Sequence, residues 1–146
     1  MGSGKTTVGR LIAERWGVPF VDLDAEIGSV PMIFSAEGES GFRRRERVAL
    51  EARAEGDGVL ALGGGTIVDP TNRWLLRDWR VVVLMATVAT LRGRLGDGRG
   101  RPLAGDLEAL VTARAAVYAA AGPAVWTDRI DPAAVADAVE GLCRTT

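Results

Sequence analysis

Near the front of the chain stands GSGKTT (residues 2–7), a glycine turn followed by a lysine and two threonines. Glycines free the backbone to turn N–H groups inward around phosphate oxygens. A helix beginning here would aim its unpaired N–H groups and positive dipole end at the same anion. Gly2 and Gly4 would shape the turn and Lys5 would reach the β- and γ-phosphates. Thr6 would offer its hydroxyl to Mg²⁺, and Thr7 would extend the cradle. A plain helix-capping turn beside a solvated lysine would account for a bare GKT. The amphipathic helix directly after GKTT, and the acids ending the next strand, favour nucleotide binding. Lys5 is the only lysine among 18 Lys and Arg residues. With no histidine in the chain, a general base must be a carboxylate, another side chain or water. His-based triads and His-ligated metals are excluded.

Four further stretches narrow the chemistry. In VDLD (residues 21–24) two aspartates stand two apart, which on a strand puts them on one side. Such a pair suits Mg²⁺ contacts at Asp22 and activation of a hydroxyl at Asp24, or else a strand end followed by a helix cap. In FRRRE (residues 42–46) three arginines spread around a helix, so one or two can face a cleft and grip a carboxylate while the rest are solvated. LGGGT (residues 62–66) follows a strand and allows close approach of backbone to ligand. GRGRPLAG (residues 98–105) carries Arg99 and Arg101 in a polar loop able to close over a transferring phosphoryl group. Each stretch has an ordinary reading as a turn, cap or solvated charge run. Their occurrence in this order points to a small-molecule kinase.

The composition fits that reading. At 146 residues, with 47% apolar and 25% charged, the chain is one globular domain. Its net charge of −1 gives no basic field for nucleic acid. A single Cys143 excludes an internal disulfide and points to a reducing compartment. No apolar run approaches the roughly 18 residues of a membrane span, and no signal peptide is visible, so the expected location is the cytoplasm.

These residues need a scaffold. Helical spacing runs through 4–16, 42–55, 71–78, 89–97, 106–121 and 132–143, the last begun by Pro132. On 42–55 the quieter positions are Val48, Leu50 and Ala52. Strand-like runs are 18–24, 58–65, 80–86 and 124–128. The alternation predicts a three-layer α/β fold with a parallel sheet and ligands at the strands' carboxyl ends. The phosphate loop in such a fold follows a central strand, and the first strand has no residues here. The expectation is that Met1 is an internal methionine and the natural protein is longer.

Taken together, GSGKTTVGR, VDLD, IFSAEGESGFRRRE, LGGGTIVDP, RPLAG and ARAAVY resemble the shikimate kinases over nearly the whole chain. That resemblance implies a P-loop NTPase fold of nucleoside-monophosphate-kinase type, with a five-stranded parallel sheet and a mobile lid at about 96–106. It implies ATP-dependent phosphorylation of the 3-hydroxyl of shikimate, with Mg²⁺, in aromatic amino-acid biosynthesis, by a cytoplasmic monomer. Asp24 would contact the acceptor hydroxyl and Asp22 would sit near Mg²⁺. Arg43 and Arg114 would hold the shikimate carboxylate. Gly64 and Gly65 would contact the ring through their backbone, and Phe34 and Phe42 would line the pocket. Arg101 would be the lid arginine, and Arg94 and Pro132 would sandwich adenine. The segment between Asp24 and Phe34 is shorter than the family's by more than a helical turn. This keeps open a kinase for another hydroxy acid such as gluconate, and a non-catalytic nucleotide-binding module descended from a kinase.

Overall fold

The structure is a computed structural model that describes residues 2–96 and 106–144. Helix α1 (Lys5–Trp16) buries Val8 and Ile12, one turn apart, and Ala13. It stops at Gly17, whose φ of 64° is a conformation that favours glycine. Strand β1 (Phe20–Asp22) leads into α2 (Leu23–Ile27) and then α3 (Val30–Glu51), which kinks at Gly38. Strand β2 (Val59–Ala61) ends at the glycine turn, followed by a short 3₁₀ turn (Thr66–Val68) and α4 (Pro70–Leu75). The remaining elements are β3 (Val83–Met85), α5 (Val88–Leu95), α6 (Leu107–Ala121), β4 (Ala124–Trp126) and α7 (Pro132–Arg144). Side chains of Asp22, Asp69, Thr87 and Asp106 cap α2, α4, α5 and α6 by accepting from first-turn N–H groups.

Helices cover both faces of the strands. On one face Val8, Ile12, Val135, Ala136 and Val139 pack against Val59 together with Val82, Leu84 and Val125. On the other, Leu23, Leu50, Ile67 and Leu76 pack against Leu60, Leu62 and Val81. Burial of these apolar surfaces is what holds the three layers together.

The strands run parallel, as the alternation predicts, and form two pairs. Among the described residues β1 pairs in parallel with β2, Val21 opposite Leu60, and β3 pairs in parallel with β4, Leu84 opposite Val125. Among the described residues no ladder joins β2 to β3. A cavity of about 420 Å³ lies there, walled by Val8, Ile12, Leu60, Leu62, Val82 and Leu84. Helices on both faces pack across the two strand pairs. Predicted strand 80–86 shrinks to three residues for a related reason: its ladder starts where the Val83 N–H donates to the Pro123 carbonyl at 2.9 Å.

Helix α3 corrects one expectation. It begins at Val30, well before residue 42, and its inward stripe is Phe42, Glu46 and Leu50. Val48 is 61% exposed. A carboxylate thus occupies the middle of an apolar stripe, at a spacing of four residues from each apolar neighbour.

Candidate active site

The phosphate-loop residues meet the acids of β1 and α2 around one cavity of about 470 Å³. Gly2, Gly4, Lys5, Thr6 and Thr7 wall it on one side, and Asp22, Asp24 and Gly64 on the other. Gly2 (φ 68°) and Gly4 (φ 91°) both take the left-handed conformation the turn requires. Gly4 caps α1 without any side-chain hydrogen bond, which leaves first-turn N–H groups to face an anion. The Lys5 ammonium donates to the Ser3 hydroxyl at 3.5 Å. Arg94 braces the loop: it donates to the Gly2 carbonyl (3.1 Å), the Thr127 hydroxyl (2.9 Å) and the Thr127 carbonyl (2.5 Å).

The Thr6 hydroxyl donates to Asp22 Oδ2 at 2.5 Å. These two oxygens, beside a phosphate cradle, suit a small hard cation that takes one or two protein ligands and fills its shell with phosphate and water. Among the described residues no cluster of three or more acidic, His or Cys side chains could hold a metal alone. Asp24 reaches the cavity by a different route from the one its spacing predicted. It lies on α2, because Asp22 caps that helix through the Ala25 N–H and ends the strand one residue before Leu23.

Across the cavity a buried polar network surrounds the glycine turn at residues 62–66. Glu46, 0% exposed, accepts from Arg43 at 2.9 Å and from the Thr66 hydroxyl at 2.5 Å. Half-burial disfavours the Arg43 cation, but Glu46, and then Glu39, outweigh this and hold its pKa above the ordinary arginine value. The guanidinium packs on Gly65 so closely that a Cβ there would lie 2.4 Å from both terminal nitrogens. A Cβ on Gly63 would lie 2.7 Å from Asp24 Oδ1 and 2.8 Å from Glu46 Oε1. Buried Asn72 donates to the Thr66 carbonyl at 2.9 Å, and the Tyr118 hydroxyl donates to the Gly64 carbonyl at 2.5 Å. Of the three consecutive arginines only Arg43 turns inward; Arg44 and Arg45 pair with Glu37 on the surface.

Arg114, one turn before Tyr118 on α6, lines a cavity of about 110 Å³ with Lys5, Gly63 and Gly64. Phe34 and Phe42 pack against each other with centroids 5.1 Å apart and planes tilted by 42°, and Arg43 lies 5.4 Å from the Phe42 ring centroid. Pro132 opens α7. No hydrogen bond or ring contact among the described residues ties it to Arg94. Arg101 and most of the 96–106 segment lie outside the described residues.

The structure therefore gathers Gly2, Gly4, Lys5, Thr6, Thr7, Asp22, Asp24, Gly64 and Arg114 around adjoining cavities that share Lys5 and Gly64. Four residues that support them were not picked out from sequence as site residues: Glu46, Thr66, Asn72 and Tyr118. Glu46 had a signal, a lone acid centred on an apolar helical stripe and three residues after Arg43. Asn72 had none, although its partner carbonyl is only six residues earlier; Tyr118 stood in the ARAAVY run, but its partner carbonyl lies 54 residues away.

Comparison with known proteins agrees with this geometry. The family model for shikimate kinase matches residues 1–141. A shikimate kinase of Frankia casuarinae is 46% identical over 81% of this chain and 57% of its own length. One from Limosilactobacillus fermentum is 40% identical over 99% of this chain and 91% of its own. The chain thus spans somewhat over half the length of the Frankia relative and nearly all of the Limosilactobacillus one. Among solved structures, the shikimate kinase of Acinetobacter baumannii in complex with shikimate superposes with a TM-score of 0.92. It is 35% identical, and the match covers 98% of this chain and 88% of that one. The shared fold is the three-layer P-loop kinase fold with parallel strands, and the chain belongs to the shikimate kinase family.

Proposed function

We propose that the chain transfers the γ-phosphoryl group of ATP to the 3-hydroxyl of shikimate, a step toward the aromatic amino acids. The observation that carries this is the single cavity in which a phosphate loop with Lys5 faces Asp24 and Gly64. Lys5, with Gly2, Gly4 and Thr7, grips the phosphates, and Arg101 adds a second cation to them. Thr6 and Asp22 are the residues that hold Mg²⁺, which when bound offsets phosphate charge. Arg43 and Arg114 hold the acceptor's carboxylate, the N–H groups of Gly64 and Gly65 orient its ring, and Phe34 and Phe42 support Arg43.

Asp24 accepts the proton of the acceptor hydroxyl. That oxygen forms a bond to the γ-phosphorus as the bond to the β,γ-bridging oxygen breaks, and ADP leaves. With no histidine in the chain, a carboxylate is the base at hand. Arg94 and Pro132 flank the adenine, residues 1–146 act as one kinase unit, and the enzyme works as a cytoplasmic monomer. No helix among the described residues is long and apolar enough to cross a membrane.

The test is ADP release by the purified protein with ATP and Mg²⁺, comparing shikimate with gluconate. Release should depend on shikimate. Absence of that dependence, or faster release with gluconate, removes the proposal.

A further inference from the structure

Gly64 and Gly65 have N–H groups with no hydrogen-bond acceptor among the described residues, although their turn is closed by Thr66 N–H donating to Gly63 O and Val68 N–H to Gly65 O, both at 3.1 Å. Glycine backbone is the most permissive in the chain, so something must fix the direction of these donors. The peptide group supplies the physical link. It is planar and trans here, so the carbonyl of Gly64 and the N–H of Gly65 point in opposite directions from one rigid unit. Whatever holds the Gly64 carbonyl therefore aims the Gly65 N–H.

The holder is Tyr118. Its hydroxyl donates to Gly64 O at 2.5 Å from 54 residues away, while its ring packs in the cluster that includes Leu23, Leu50, Ile67 and Leu76. The ring is thus anchored by apolar contacts and the hydroxyl is aimed by them. The next residue is fixed on its other face, where Arg43 lies against Gly65.

We infer that Tyr118 is a positioning residue for the acceptor substrate: by clamping the Gly64 carbonyl it turns the Gly65 N–H away from α6 and presents it as a fixed donor to an oxygen of the acceptor. This rests on the reading of the cavity as a shikimate site. Tyr118 touches no substrate in this account and acts only through the Gly64–Gly65 peptide. Because α6 also carries Arg114, one helix sets both a cationic and a neutral donor of the acceptor site.

Tyr118→Phe removes one oxygen and keeps the ring. The expected result is a rise of about five- to tenfold in KM for shikimate, the scale of one oriented hydrogen bond. KM for ATP should stay within twofold of the parent. A shikimate KM within twofold of the parent overturns the inference, as does an equal rise in both KM values, which is the mark of general loosening. In the unaltered protein labelled with ¹⁵N, shikimate should shift the Gly65 amide resonance among the largest changes seen. An unmoved Gly65 resonance overturns the inference without relying on any variant's folding. If the unaltered protein shows no shikimate-dependent turnover, the kinase reading falls and this inference with it. If turnover is present and Tyr118→Phe is silent, the inference alone falls.

Discussion

Two glycine turns face each other across the cleft. The turn at residues 62–66 is surrounded by buried polar partners: Glu46 and Thr66 are 0% exposed and Asn72 is 2% exposed. Each of its glycines sits where a side chain has no room or where a carbonyl is clamped. The turn at residues 2–5 is different. Its glycines are needed for backbone conformation, its described polar contacts include Arg94, the Lys5–Ser3 hydrogen bond and the Val8 N–H on the Gly4 carbonyl, and α1 beyond it walls an apolar cavity between the two strand pairs. A buried network in which Glu46 accepts from both Arg43 and Thr66 fixes geometry strongly, even with Asn72 Oδ1 left without a partner. A loop of outward-aimed N–H groups waits for an anion to complete it. On the proposed reading, the acceptor side is the more preorganised of the two and the nucleotide side is completed by its ligand.

The largest expected effect lies between the two turns. Asp24→Asn removes a proton acceptor and keeps the shape, so kcat should fall by about 10²–10⁴-fold. The melting temperature should stay within a few degrees of the parent. Coupled ADP-release kinetics read the first and thermal denaturation the second. An undiminished kcat would remove Asp24 from the chemistry.

Glu46→Ala separates the turns by stability. It strips the half-buried Arg43 of a partner and leaves the Thr66 hydroxyl unpaired inside the core. Arg43 is partly exposed and keeps Glu39, so the main cost is the orphaned Thr66 hydroxyl, about 1–3 kcal/mol. Lys5→Ala on the other turn should cost no more than about 0.5 kcal/mol while abolishing useful ATP binding. Urea unfolding of the two variants, side by side, checks the contrast. Equal losses would mean that the turns are held alike.

Glycine substitutions sharpen it further. Gly63→Ala drives a methyl group against oxygens of Asp24, Glu46 and Thr66. Overpacking of this kind costs about 1–3 kcal/mol, and here it should also raise KM for shikimate. Gly4→Ala meets only Val8 at 4.0 Å, but at φ 91° it is strained by conformation, about 1–2 kcal/mol. Its effect should fall on ATP. Crossed effects, Gly63 on ATP and Gly4 on shikimate, would break the division.

The same division separates what the sequence made legible from what it concealed. Gly2, Gly4, Lys5 and Thr6 form a local unit whose chemistry is written in consecutive residues, and α1 stops at Gly17 as its spacing predicts. Alternation of helices and strands gave the layers. The network behind Arg43 was concealed because its partners come from four elements. Glu46 lies on α3, Thr66 in the 3₁₀ turn, Asn72 on α4 and Tyr118 on α6. Asp24 was placed on a strand because a two-residue spacing reads as strand period; the capping preference of Asp22 for the Ala25 N–H ended the strand first.

The smallest prediction sets one carboxylate from each side against the other in acid. Asp69, after the 3₁₀ turn, is held below the ordinary aspartate range first by the Thr71 N–H and then by Arg47. Asp128, beside the nucleotide loop, is held down first by the Thr87 hydroxyl, then by Thr90 and the Thr87 N–H. Both folded-state values lie below the unfolded one, so each group's contribution is complete above about pH 3.9 and is lost as pH falls through the folded value. Both are solvent-accessible, so the effects are modest. Carboxyl ¹³C shifts followed from pH 6 downward should give midpoints below the ordinary value for both. Added salt should raise the Asp69 midpoint more, because Asp69 also relies on an ion pair with Arg47 whereas Asp128 depends chiefly on neutral donors. In Asp128→Asn the acid-dependent loss at the Thr87 cap should vanish while that at Asp69 persists. A salt response of equal size at the two sites would mean that charge, and not oriented donors, holds the nucleotide side in place.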